Sequence, residues 1–79
     1  MAPDTALDCE GLLCPLPVLK ARKQLIGMPV GAVLSLRATD PMAAIDVPHF
    51  CAEAGHSLLT VHQDGLVHIY LIQRGPDKN

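Results

Sequence analysis

Seventy-nine residues suffice for one domain, and a chain of this length buries only about 60% of the surface its unfolded form exposes, so the core must be thin. Apolar residues make up 49% of the chain and aromatics 3%, with no Trp, which excludes a disordered tail and leaves Leu, Ile, Val and Ala to do the packing. A net charge of -2 and a pI near 6.0 lack the basic footprint of a protein that grips phosphate backbones, so no direct nucleic-acid binding is expected.

Met1 to Leu7 carries neither a basic start nor an apolar run of signal length, and no stretch approaches the ~20 apolar residues of a membrane span. A cytoplasmic location away from the membrane is the expectation. Three cysteines, an odd number, argue against a disulfide framework and for at least one free thiol.

Leu7-Asp8-Cys9 reads as a short strand closed by Gly11. From Val18 to Met28, Val18, Ala21, Leu25 and Met28 recur at helical spacing, with Leu19 and Ile26 on the flank and Gly27 and Pro29 to Gly31 at the exit. Ala32 to Thr39 alternates, with Ala32, Leu34, Leu36 and Ala38 on one side and Val33, Ser35, Arg37 and Thr39 on the other, as in a half-buried strand. Asp40-Pro41 predicts an N-cap with proline at the first helical position. Pro48 predicts a break in the second helix, with a turn through Asp46 and a restart from about Pro48 to Ala54, ended by Gly55. Ser57 to His62 and Leu66 to Gln73 are strand-like runs joined by Gln63-Asp64-Gly65, a hairpin signal. The order βαβαββ predicts an α/β fold of the α+β two-layer sandwich type, two helices on one face of a mixed four-stranded sheet, in a single domain over residues 1–79. Strand order is not legible at this level.

Cys14 carries the sharpest chemical signal. It precedes Pro15-Leu16-Pro17, and both prolines are tolerated in a first helical turn, where N–H groups lack intrahelical partners. With Cys14 as N-cap, Leu16 and Val18 would hold N–H groups near the sulfur, and the helix dipole would depress the thiol pKa and stabilise a thiolate or a persulfide anion. Lys20, Arg22 and Lys23 add positive charge, and Asp8 and Glu10 oppose it. The competing reading is a buried cysteine packing as a small hydrophobe.

The stretch Leu7-Asp8-Cys9-Glu10-Gly11-Leu12-Leu13-Cys14-Pro15-Leu16-Pro17-Val18, followed by Ala21-Arg22-Lys23, resembles the signature of the TusA/SirA family of sulfur carriers. Asp40-Pro41, Asp46-Val47-Pro48 with Phe50-Cys51, and the Asp64-Gly65 hairpin before Tyr70-Leu71-Ile72 are similar to that family in order and spacing. The resemblance implies a two-layer α/β fold and a sulfurtransferase-type persulfide carrier. It implies further that the motif cysteine, Cys14, accepts sulfane sulfur from a cysteine desulfurase or a rhodanese-like donor and passes it to a downstream acceptor protein. In family members the destinations include 2-thiouridine formation in tRNA, molybdenum-enzyme maturation and oxidative sulfur metabolism.

Cys9 reads either as a structural cysteine at a strand end or as a redox partner that resolves Cys14. Cys51, beside Phe50, reads as core. No Cys-x-x-Cys or paired-histidine spacing exists, so no metal and no cofactor is expected. His49, His56, His62 and His68 read as surface or hairpin residues, with His62 and His68 facing each other across the hairpin. Arg22 falls within the apolar stripe of the first helix, either as a snorkelling stem or, with Lys20 and Lys23, as a docking contact for a partner. Two other functional classes compete with the carrier: a non-catalytic regulatory protein-binding module of the same fold, and a thiol–disulfide or metal-binding protein using Cys9 and Cys14.

Overall fold

The computed structural model describes residues 3–76. β1 (Thr5–Cys9) is followed by α1 (Leu16–Ile26), β2 (Val33–Ala38), α2 (Ala43–Ala54), β3 (Ser57–Asp64) and β4 (Val67–Gln73). The strands form one sheet in the order β1-β2-β4-β3. β1 runs parallel to β2, whereas β2 with β4 and β4 with β3 are antiparallel. The sheet is mixed, as the predicted element order required.

Alternation along the strands decides which face the helices cover. Leu34, Leu36 and Ala38 on β2 and Tyr70 and Ile72 on β4 point to the same side, where they join Ala21, Leu25, Ala43, Val47, Phe50 and Cys51 in one buried cluster. Both helices therefore lie on one face. Val33, expected on the outer side of β2, is also buried, its backbone bonded to Asp4 on one edge and its Cα partnered with Gln73 on the other.

The stripe that α1 buries is Pro17, Ala21 and Leu25, continued by Met28 beyond the helix, and Val18 is only half-buried. Proline at the second helical position can face the core because its missing N–H falls where no intrahelical acceptor exists. At the other end, Arg74 is buried and its Nε donates to the Leu25 carbonyl at 3.0 Å, placing a cation against the negative end of α1. Nothing in the periodicity of β4 marked that arginine.

The predicted break at Pro48 does not occur: α2 is continuous through it. Burial of Ala43 and Val47 before the proline and Phe50 and Cys51 after it holds both halves on one face, and this outweighs the one lost backbone bond. Asp40 is not the N-cap of α2, nor is Pro41 its first residue: Met42 holds the cap position, because Asp40 and Pro41 form a turn ahead of the helix, with Ala43 N–H on the Asp40 carbonyl at 3.0 Å and Met42 N–H on Asp40 Oδ1 at 3.1 Å. Gly55 ends α2 with φ +84°, and its N–H and that of His56 both bond the Cys51 carbonyl.

In the hairpin, Asp64 pairs with Val67 around Gly65-Leu66, and Gly65 has φ +62°. That register sets His62 opposite Ile69 and Gln63 opposite His68, so the two histidines lie on opposite faces and do not pair. A one-residue offset is enough to separate them, because strand side chains alternate with a period of two. A bulge between Leu58 and Thr60 shifts the inward parity of β3. Among the described residues no helix is long and apolar enough to cross a membrane.

The chain beyond β4 is latched to the α2–β3 junction. Gly75 N–H donates to His56 Nδ1 at 2.9 Å, and a Cβ at Gly75 would lie 1.8 Å from the Gly55 carbonyl oxygen. The bond needs a neutral ring, and burial, with Arg74 adding to it, lowers the His56 pKa below its ordinary 6.5. A depressed folded pKa means that the unfolded chain binds the proton first, so the stabilisation is complete above about pH 6.5 and is lost as pH falls below it. Urea midpoints should therefore drop between about pH 7.5 and pH 5, and drop less in His56→Asn, whose amide oxygen still accepts but does not titrate.

Candidate functional site

Parallel pairing aligns Cys9 with Ala38, so both strands leave the sheet at the same edge and the chain after each crosses it together. Leu12 N–H returns to the Cys9 carbonyl, and Gly11 N–H reaches across to Thr39 Oγ1 at 2.9 Å. Cys14 N–H donates to Asp40 Oδ2 at 2.5 Å. With its other oxygen on Met42, Asp40 ties the cysteine loop to the entrance of α2. The Cys14–Pro15 peptide bond is cis.

Of the three free cysteines only Cys14 is exposed. Cys9 and Cys51 sit in the core, and burial raises both thiol pKa values, that of Cys51 to about 11. Cys14 is not the N-cap of α1. Pro15 holds that position without a side-chain cap, and the Leu16 N–H is turned to the Leu13 carbonyl at 2.9 Å instead of toward the sulfur.

What the sulfur meets is a carboxylate: Cys14 Sγ donates to Asp46 Oδ2 at 2.7 Å. That hydrogen bond, followed by desolvation and by the charges of Asp46 and Asp40, raises the Cys14 pKa. The depressed value expected from the helix dipole is overturned, because the thiol stands before the first helical N–H groups and within reach of two acids. Asp40 and Asp46 figured in the sequence as cap and turn residues and as part of the family resemblance, with no link to the thiol. Their relation to Cys14 follows from the parallel strand pair, a long-range pairing that local pattern does not carry.

The thiol opens onto a groove of about 220 Å³ between the helices, lined by Pro15, Val18, Arg22, Asp46, His49, Phe50 and Glu53. Arg22 is exposed beside the buried stripe, with its guanidinium 5.2 Å from the Phe50 ring centroid. His49 and Glu53 pair at 3.0 Å one turn apart, both exposed. Lys20 and Lys23 border a different concavity with Leu7 and Gln24, so the three basic residues of α1 do not share one surface. Leu13 and Leu16 beside Cys14 in the chain, and Met42 and Ile45 ahead of Asp46, are exposed.

The family described as "Sulfurtransferase TusA" matches residues 5–74, which takes in every strand, both helices and the cysteine loop. The chain belongs to the TusA family. Its fold is similar to that of the crystal structure of a SirA-like protein from Desulfitobacterium hafniense, with a TM-score of 0.79 at 22% identity, over 91% of this chain and 99% of that one. Membership makes this a sulfurtransferase of the sulfur-carrier type, a protein class that passes sulfur between partner proteins.

The carboxylate contact has a direct readout. Alkylation of Cys14 by iodoacetamide should titrate with a midpoint above that of an ordinary thiol, and Asp46→Asn should lower it by removing the charge that opposes the thiolate. An unchanged midpoint in the variant would show that the contact does not hold in solution.

Proposed function

We propose that Cys14 accepts sulfane sulfur as a persulfide and relays it to an acceptor protein in the cytoplasm. The observation that carries this reading is that the one exposed cysteine of the chain is the cysteine of the Cys14-Pro15-Leu16-Pro17 motif, held at the head of a groove by backbone and side-chain bonds. Pro15 and Pro17 support it: Pro15 caps α1 and lines the groove, and Pro17 is buried, which anchors the loop to the core. The donor is a cysteine desulfurase or a rhodanese-like protein, and the acceptor serves tRNA thiolation, molybdenum-cofactor assembly or sulfur metabolism.

Incubation with a cysteine desulfurase and cysteine should add the mass of one sulfur atom to the intact protein, removable by reductant and absent from Cys14→Ser. Retention of the added sulfur in that variant defeats the assignment.

Docking of the partner engages the thiol's own surroundings. Arg22, level with the groove and stacked on Phe50, is the basic residue best set to meet an acidic donor or acceptor; Lys20 and Lys23 would serve a contact that wraps around α1. Arg22→Ala should slow transfer several-fold at low salt and flatten its ionic-strength dependence, with a stability loss of about 0.5–1 kcal/mol from the lost ring contact. Transfer rates and salt dependence that match those of the unaltered protein would remove Arg22 from the interface.

A further inference from the structure

Two carboxylates beside an exposed thiol oppose the ionisation that a nucleophilic sulfur needs, yet they hold it in different ways. Asp40 spends both oxygens on backbone, Oδ2 on Cys14 N–H and Oδ1 on Met42 N–H, so it shapes the loop. Asp46 makes its contact with the sulfur itself, at 2.7 Å, from the first turn of α2 where the neighbouring Val47 is fully buried. The other charged groups around the groove are Arg22 from α1 and the His49–Glu53 pair further along α2, and the thiol donates its hydrogen bond to none of them.

We infer that Asp46 is the proton acceptor for Cys14: its Oδ2 takes the thiol proton as the sulfur attacks and returns one when the sulfur departs. The inference rests on reading Cys14 as a sulfur carrier and adds to it the route of the proton. A general base works best when its acidity lies between those of the proton donor before and after reaction. A thiol has a reference value of about 8.5 and a carboxyl group about 4, whereas a sulfur that is forming a second bond while still protonated is far more acidic than either, so a carboxylate is suited to take that proton as the bond forms.

The step balances without an added oxidant. With a donor persulfide R–S–SH, the Cys14 sulfur bonds to the outer sulfur, the donor S–S bond breaks and its electron pair leaves on the donor sulfur. The Cys14 proton passes to Asp46 and from there to the departing donor thiolate, giving R–SH and Cys14–S–SH. Discharge runs in the opposite sense. The acceptor thiol attacks the outer sulfur, its proton passes to the same carboxylate, and Asp46 delivers a proton to the Cys14 sulfur as that sulfur leaves with the bonding pair.

The test uses two rates that an activated thiolate and a base-assisted thiol move in different directions. In Asp46→Asn, alkylation of Cys14 by iodoacetamide at neutral pH should accelerate, since more thiolate is present, whereas sulfur loading from a persulfidated desulfurase should slow by roughly a hundredfold, the lower margin of what a positioned base contributes. Asp46→Glu, which keeps a carboxylate on a longer stem, should recover most of the loading rate and serves also if the Asn variant does not fold. Alkylation and loading that rise together, fall together or stay unchanged overturn the inference, as does a Glu variant that loads no faster than Asn. An unaltered protein that takes up no sulfur counts against the carrier reading itself, so the two failures are separable.

Discussion

Parallel pairing of β1 with β2 is the constraint from which the site descends. The register from Thr5↔Leu34 to Cys9↔Ala38 sends two chain segments out of the sheet at one edge, and the residues that follow, the cysteine loop and the entrance to α2, have nowhere to go but against each other. Asp40 closes that junction with two backbone hydrogen bonds, and the first turn of α2 then brings Asp46 to the sulfur. Parallel strands require a crossover, here α1, and the crossover begins at the same edge, so Pro15 and Pro17 are both the start of a helix and the wall of the site.

The thiol is thereby kept exposed and kept neutral. These two properties pull in opposite directions for a nucleophile, since exposure invites reaction and neighbouring carboxylates withhold the thiolate. For a member of a family that passes sulfur between partner proteins, the combination is coherent: a neutral thiol is slow toward adventitious electrophiles and oxidants. Cys9 and Cys51, by contrast, are buried, and burial raises both thiol pKa values.

Much of this was legible in the chain. The helical spacing of Ala21, Leu25 and Met28, the alternation of Leu34, Leu36 and Ala38, and the Asp64-Gly65 turn each state a local geometry, because side-chain direction repeats with fixed periods in helices and strands. Cys14 stood out by the prolines after it. Pro48 misled because a local rule about a missing N–H is weaker than the burial of Val47, Phe50 and Cys51 on one face. His62 and His68 misled because hairpin register turns on a single residue of loop length.

By itself, then, the sequence determined the elements, their order, the core-facing residues Ala21, Leu25 and Met28 after β1 and Leu34, Leu36 and Ala38 on β2, and which cysteine carries the motif, all of which depend on residues a few positions apart. Tertiary structure alone decided the strand order, the burial of Arg74 against the end of α1, the position of Arg22 over Phe50, and above all the electrostatic character of the thiol. The reason is one of range: a helix dipole is written into the residues beside Cys14, whereas Asp46 lies 32 positions away and reaches the sulfur only because two strands run parallel and in register.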